Sequence, residues 1–214
     1  MIIDTGDIKA LFVHIPKTGG MSVERTIFNE LHKTNPEKQL TFMEIKGENG
    51  DTGLKMHSTL EDYRTFYGID EINTFYKFGL VRNPWRRMVS HYEFMISQRH
   101  NRIRHKKDNW DFNSFIQLYV NDHLAYSLTD GYDTFNADIS TELDFVCRLE
   151  NFNEDLKYVG NQIGLDLSKP EHINTTKQQF KDHINWKDYY TPGTLNMVYD
   201  LHKKEIEKYN YTFE

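Results

Sequence analysis

The chain is short of cysteine: Cys147 is its only one. A lone thiol can form neither an internal disulfide framework nor a cysteine-based zinc cluster. Proline is sparse too, with five in 214 residues, and no Pro- or Ser-rich linker separates one part from another. No apolar run approaches the roughly 18 residues that a membrane-spanning helix needs. The opening "MIIDTGDIKALFVHI" has early acids and no basic stretch, so it does not read as a secretion signal. A general excess of positive charge is also missing. The formal net charge is −6, which argues against a broadly basic nucleic-acid binder. These absences lead us to expect a soluble protein of a reducing, cytoplasmic compartment.

What is present fits a globular enzyme-sized unit. Aromatic residues make up 14% of the chain, too many for a disordered one. The length fits one domain, 1–214, since domains run to about 100–200 residues. Strands and helices alternate along it. Ala10–Ile15 is a short apolar run ended by Pro16, and Met21–Lys33 has apolar residues at helical spacing. Leu40–Ile45 reads as a weaker strand and Gly47–Gly53 as a loop. Ser58 and Glu61 form a capping box for the next helix. Thr74–Val81 is a second convincing strand, and Pro84 opens a helix with Trp85, Met88, Val89, Tyr92 and Met95 on its apolar side. "DFNSFIQLYV" is a further helix, Leu143–Leu149 a third strand and Asn153–Ile163 a helix. Thr191-Pro192 starts a last helix with Leu195, Val198, Leu201 and Ile206 on one face. This order predicts an α/β fold: three layers, P-loop-like, with a central, mainly parallel sheet flanked by helices. Ligands of such sheets bind beyond the carboxyl ends of the strands. Pro16–Gly20 and Arg82–Asn83 both fall at those ends, which suggests one shared site.

"LFVHIPKTGGMSVERTIF" carries the first candidate chemistry. Gly19 and Gly20 allow a tight turn with N–H groups aimed inward. The helix that follows presents its positive end, Lys17 adds a full charge, and Thr18 and Ser22 bring hydroxyls. These are the parts of a cradle for phosphate or sulfate. The order differs from a Walker A loop, in which lysine follows the glycines. An ordinary turn with a solvated lysine is the plainer explanation of this stretch alone. "KFGLVRNPWRRMVSHY" supplies the second element: Arg82 at a strand end and Ser90 about two helical turns on, an arginine–serine pair suited to a phosphate.

Together these stretches resemble the sulfotransferases. "HIPKTGGMS" is similar to their 5′-phosphosulfate loop, and "VRNPWRRMVSHY" to their 3′-phosphate motif. Further along, "CRLENFNEDLKYVGNQIGL", "PEHINTTK" and "YYTPGTLNMVYDLHKKEIEKYNYTF" resemble segments of the carbohydrate branch, which includes the uronyl 2-O-sulfotransferases. The resemblance implies 3′-phosphoadenosine 5′-phosphosulfate (PAPS) as sulfuryl donor and requires no metal. It implies that the backbone of Thr18, Gly19, Gly20, Met21 and Ser22 holds the 5′-phosphate, with Lys17 at the bridging oxygen. Arg82 and Ser90 would hold the 3′-phosphate, and Asn174, Thr175 and Lys177 would touch the nucleotide. Met21 departs from the usual K-T-G-G-T-S and removes one hydroxyl donor.

The acceptor hydroxyl needs a base, and a histidine suits neutral pH. Of the ten histidines, His57 is the best candidate, at a loop–helix junction in an H-x-[ST]-x-x-[ED] setting similar to that branch. His14 is expected to pack behind the loop. His91 could face the core or the donor. Glu24 and Glu61 are fallback bases, more simply explained as solvated helix faces. "QRHNRIRHKK" holds five formal positive charges, among them Arg99, Arg102 and Arg104. Such a patch would draw an acidic acceptor, for example a uronic-acid or sulfated glycan. Trp110 and Tyr119 nearby could stack on a sugar or simply belong to the core. Two other readings stay open: an inactive nucleotide- or glycan-binding protein of the same fold, and an ATP-dependent kinase. The kinase reading is disfavoured by the lysine order and by the lack of an obvious Mg²⁺ carboxylate.

Overall fold

The computed structural model describes residues 1–34, 54, 56–96, 111–121, 143–173 and 185–214. The expected strand at 40–45, the loop at 47–53 and the basic stretch 98–107 lie outside these residues, as do Trp110, Asn174, Thr175 and Lys177. By internal contacts the chain divides into two units, one of Met1–Val81 with Thr129–Asn174, the other of Arg82–Leu128 with Thr175–Glu214.

The first unit holds a four-stranded, mostly parallel sheet flanked by helices. The strands are β1 (Ile2–Asp4), β2 (Lys9–Val13), β3 (Tyr76–Val81) and β4 (Phe145–Arg148), in that spatial order. β2, β3 and β4 run parallel, in a register that pairs Val13 with Gly79 and Val81 with Arg148. β1 is antiparallel to β2 and was not foreseen from the sequence. Three residues are too short for a periodic signal. The strand exists because a turn at Thr5–Ile8, with Gly6 at φ 97°, folds it back so that Ile3 is fully buried.

Helix α1 (Gly20–Thr34) covers this sheet with Val23, Ile27 and Leu31, and the helix after β4, Phe152–Ile163, adds Leu156, Val159 and Ile163 to the same core. Each such side chain contributes about 1.5–3 kcal/mol when fully buried. α2 (Leu60–Tyr67) begins one residue later than the sequence suggested. Its capping box joins Thr59 to Asp62 rather than Ser58 to Glu61. Both registers satisfy the S/T-x-x-D/E pattern, so local chemistry does not choose between them. Burial does, because this frame puts Leu60 and Tyr63 inside. α3 (Ile69–Asn73) follows at once.

The second unit is helical: α4 (Pro84–Ile96), α5 (Phe112–Asn121) and, after α6 (Phe152–Ile163) of the first unit, α7 (Pro192–Tyr209). Proline opens α4, and the five apolar residues expected inside it are buried. α7 departs from expectation. Its buried line is Thr194, Val198, His202 and Ile206, whereas Leu195 and Leu201 are half-buried. The helix bends at His202 (φ −109°, ψ 19°), and the buried line continues through it at a spacing of four. Among the described residues no helix is long and apolar enough to cross a membrane.

Candidate active site

β2 ends at Val13 and α1 starts at Gly20, so His14–Gly19 is the turn at the carboxyl end of a parallel strand. Lys17 sits in the left-handed region at φ 64°. A side chain pays about 1 kcal/mol or more for that conformation, and such strain concentrates at working sites. Gly19 and Gly20 are glycines for two different reasons. Gly19 has φ +103°, and a Cβ there would lie 2.9 Å from Leu149 Cδ1. Gly20 has ordinary helical geometry, but a Cβ would fall 2.2 Å from the Cδ2 and Nε2 atoms of His14. The imidazole occupies the place of the missing side chain.

The hydroxyls expected to face a ligand are engaged within the protein. Thr18 is fully buried and its Oγ1 donates to the Ile15 carbonyl at 2.8 Å. Ser22 Oγ accepts the Ile173 N–H at 3.1 Å, and one turn on Thr26 Oγ1 accepts the Glu171 N–H at 2.9 Å. Residues 171–173 are thereby held along α1. What the turn offers an anion is backbone N–H, the positive end of α1 and the Lys17 ammonium. Met21 is exposed, so no hydroxyl replaces it at the rim.

The histidines separate clearly. His14 is buried, as expected, with Nδ1 2.7 Å from Glu24 Oε1. Glu24 is not a solvated helix-face acid: it is 5% exposed, and among the described residues its Oε2 has no hydrogen-bond partner. The helical-spacing argument missed this because the partner lies ten residues back, on another element. His57 is half-buried, and its Nδ1 donates to the His14 carbonyl at 3.1 Å. The two rings meet edge to face at 4.6 Å between centroids. Glu61 is exposed and pairs loosely with Arg64 at 3.7 Å, as a solvated helix acid would. His172, on the segment along α1, bonds Asn153 Oδ1 at 3.2 Å.

In the second unit, Arg82 and Ser90 are both half-buried, Arg82 just ahead of α4 and Ser90 in its second turn. The start of α4 is tightly fixed. Asn83 Oδ1 accepts the Arg86 N–H at 3.2 Å, and its amide donates to the Thr212 carbonyl at 2.8 Å. Arg87 is 1% exposed and forks onto Glu205 at 2.9 and 2.8 Å, with His202 Nδ1 at 3.2 Å. Burial, helped by the Arg87 charge, holds His202 well below its ordinary value of 6.5. His91 and Tyr119 are core: the His91 ring is fully buried against Phe115 and Tyr119. Glu93, three residues after Ser90, is a buried carboxyl bonded to the Tyr189 hydroxyl, and burial raises its pKa.

Two sequence segments noted for their pattern hold structure together. In "CRLENFNED" the Asp155 carboxylate accepts the Arg148 N–H at 2.7 Å and so shapes the exit from β4. In "YYTP" and "YTF" the Tyr190 hydroxyl donates to the Trp85 carbonyl, and Phe213 packs on Trp85, Trp186 and Tyr190.

The sulfotransferase family matches residues 1–212. The chain belongs to the sulfotransferase family. No curated protein and no solved structure matches it in the other two comparisons. Sulfotransferases take their sulfuryl group from PAPS and pass it to a hydroxyl. The turn fits the phosphosulfate end of that donor through its lysine, its backbone N–H groups and the helix N-terminus that follows it.

Proposed function

We propose that the protein transfers the PAPS sulfuryl group to a hydroxyl of an acidic carbohydrate, with His57 as base. The observation that carries this reading is the Lys17–Gly20 turn, strained at Lys17 and closed to any side chain at residue 20. PAPS, when bound, supplies an activated sulfur with adenosine 3′,5′-bisphosphate as leaving group. The backbone of Thr18–Ser22 would hold its 5′-phosphate, and the Lys17 ammonium would supply positive charge beside the leaving group. Arg82 and Ser90 hold the 3′-phosphate, with a backing supplied by the rigid start of α4. Asn174, Thr175 and Lys177 contact the nucleotide. His57 takes the acceptor proton. Its Nδ1 faces a carbonyl, which only accepts, so Nδ1 carries hydrogen and the neutral ring keeps its lone pair on Nε2. Arg99, Arg102 and Arg104 attract the acid groups of a uronic-acid glycan. The uronyl-type acceptor is supported by the likeness of "HINTT" and "CRLENF" to that branch.

The test has two arms. Adenosine 3′,5′-bisphosphate should raise the melting temperature, while ATP with Mg²⁺ at the same concentration should not. A larger shift with ATP would overturn the donor assignment in favour of a kinase. With PAPS and a uronic-acid glycan, Lys17→Ala should lower transfer by about 10²–10³-fold. His57→Ala should abolish transfer and keep the bisphosphate shift. Transfer retained in His57→Ala removes the base assignment.

A further inference from the structure

The roles given to Lys17 and His57 leave a buried ionisable pair behind them unused. Glu24 and His14 are 5% and 3% exposed. A buried carboxylate is costly unless it is well paired. Among the described residues Glu24 has one hydrogen-bond partner, His14 Nδ1, and its Oε2 has none. An apolar residue on this turn of α1 would avoid that cost, so the pairing calls for another explanation.

The contacts of His14 supply one. A carboxylate only accepts, so the Nδ1–H of His14 donates to Glu24 and the ring orientation is set. Its Nε2–Cδ2 edge lies against Gly20 at the start of α1. Phe12 backs the ring at 5.6 Å between centroids. The remaining neighbour is His57, edge to face at 4.6 Å and 84°. The same residue's carbonyl receives the His57 Nδ1–H at 3.1 Å. Ring and carbonyl of His14 both contact the His57 imidazole, and the carbonyl contact places a proton on Nδ1.

We propose that Glu24 and His14 are positioning residues: Glu24 locks the His14 ring, and His14 holds His57 in the tautomer that presents Nε2 as proton acceptor. This rests on the reading of His57 as base. The chain of contacts runs through three elements, α1, the end of β2 and the residues before α2. It places no proton on Glu24 and asks for no transfer between the two rings. The role asks for no contact of either residue with the reacting atoms.

The test is ring-nitrogen NMR on the ¹⁵N-labelled full chain, with the His57 signals assigned by their loss in His57→Ala. In the wild type, His57 should show a protonated Nδ1 and a bare Nε2. Glu24→Leu, which removes the acceptor, should give averaged ring signals for His57, while affinity for adenosine 3′,5′-bisphosphate stays within about twofold. Glu24→Gln keeps an oxygen for the His14 Nδ1–H and should restore the wild-type pattern. His14→Phe keeps a ring against Gly20 but loses the tie to Glu24, and should behave like Glu24→Leu; it decides the matter if Glu24→Leu does not fold. An unchanged single tautomer in these two variants overturns the proposal, as does a Glu24→Gln spectrum no closer to wild type than Glu24→Leu. The readout needs no turnover. Should His57→Ala retain activity while the NMR behaves as stated, the base assignment falls and the positioning contact stands.

Discussion

The turn around Lys17 and the start of α4 are each assigned an anionic group, yet one is organised by backbone and the other by side chains. In the turn, shape comes from positive φ at Lys17 and Gly19 and from the missing Cβ of Gly20, while the hydroxyls point inward. At α4, the backbone is ordinary helix. The fixing is done by Asn83 on Thr212 and by the buried fork of Arg87 on Glu205. A backbone cradle tolerates a change of side chain such as Met21 but not a change of volume at a glycine. A side-chain lattice does the reverse: it tolerates small packing changes and fails when one charge loses its partner.

That contrast can be broken from either side. The largest effect is expected at Glu205→Ala, which leaves the Arg87 guanidinium buried without its carboxylate. Breaking a buried ion pair by removing one partner costs about 3–5 kcal/mol. Urea unfolding should show that loss, whereas Glu205→Gln, which still accepts from Arg87, should lose less. Next comes Gly20→Ala. The added methyl meets a His14 ring that Glu24 holds in place, so the strain should be about 1–3 kcal/mol. His14→Ala in the same chain should return part of it. The double-mutant cycle checks this, and additive losses would mean that the imidazole is not what excludes the side chain.

The smallest effect sharpens the comparison through pH. His202 is held neutral in the folded protein, with its pKa well below 6.5. The unfolded chain takes up a proton as pH falls through about 6.5, and the folded one does not until lower pH. Stability from this group is therefore complete above about pH 6.5 and declines as pH drops below it. The melting temperature should fall between about pH 7.5 and 5.5, and His202→Gln should flatten that limb. An equally steep limb in His202→Gln would assign the acid sensitivity elsewhere.

Much of the fold was legible because its signals are local. The apolar run before Pro16, the proline at the start of α4 and the spacing of Val23, Ile27 and Leu31 each act within about one helical turn. So did the family: the lysine–glycine turn and the Arg82–Ser90 spacing are contiguous patterns. Errors arose where two local answers were equally good. Thr59 and Ser58 could both cap α2, and only the burial of Leu60 and Tyr63 chose the frame. On α7 Val198 and Ile206 are buried as expected, but Thr194 and His202 take the places given to Leu195 and Leu201, and His202 does so because Arg87 of another helix meets it inside.

What could be read along the chain was the three parallel strands, the main helices between them, the glycines of the turn and the sulfotransferase family; the short strand β1 could not. These follow from steric and hydrogen-bonding preferences of residues a few positions apart. Only the tertiary structure decided which way the polar groups face: Thr18 and Ser22 inward, Glu24 buried on His14, His57 tied to a carbonyl 43 residues away. A polar side chain has several acceptable partners in a chain of this length, and packing against the sheet selects one of them.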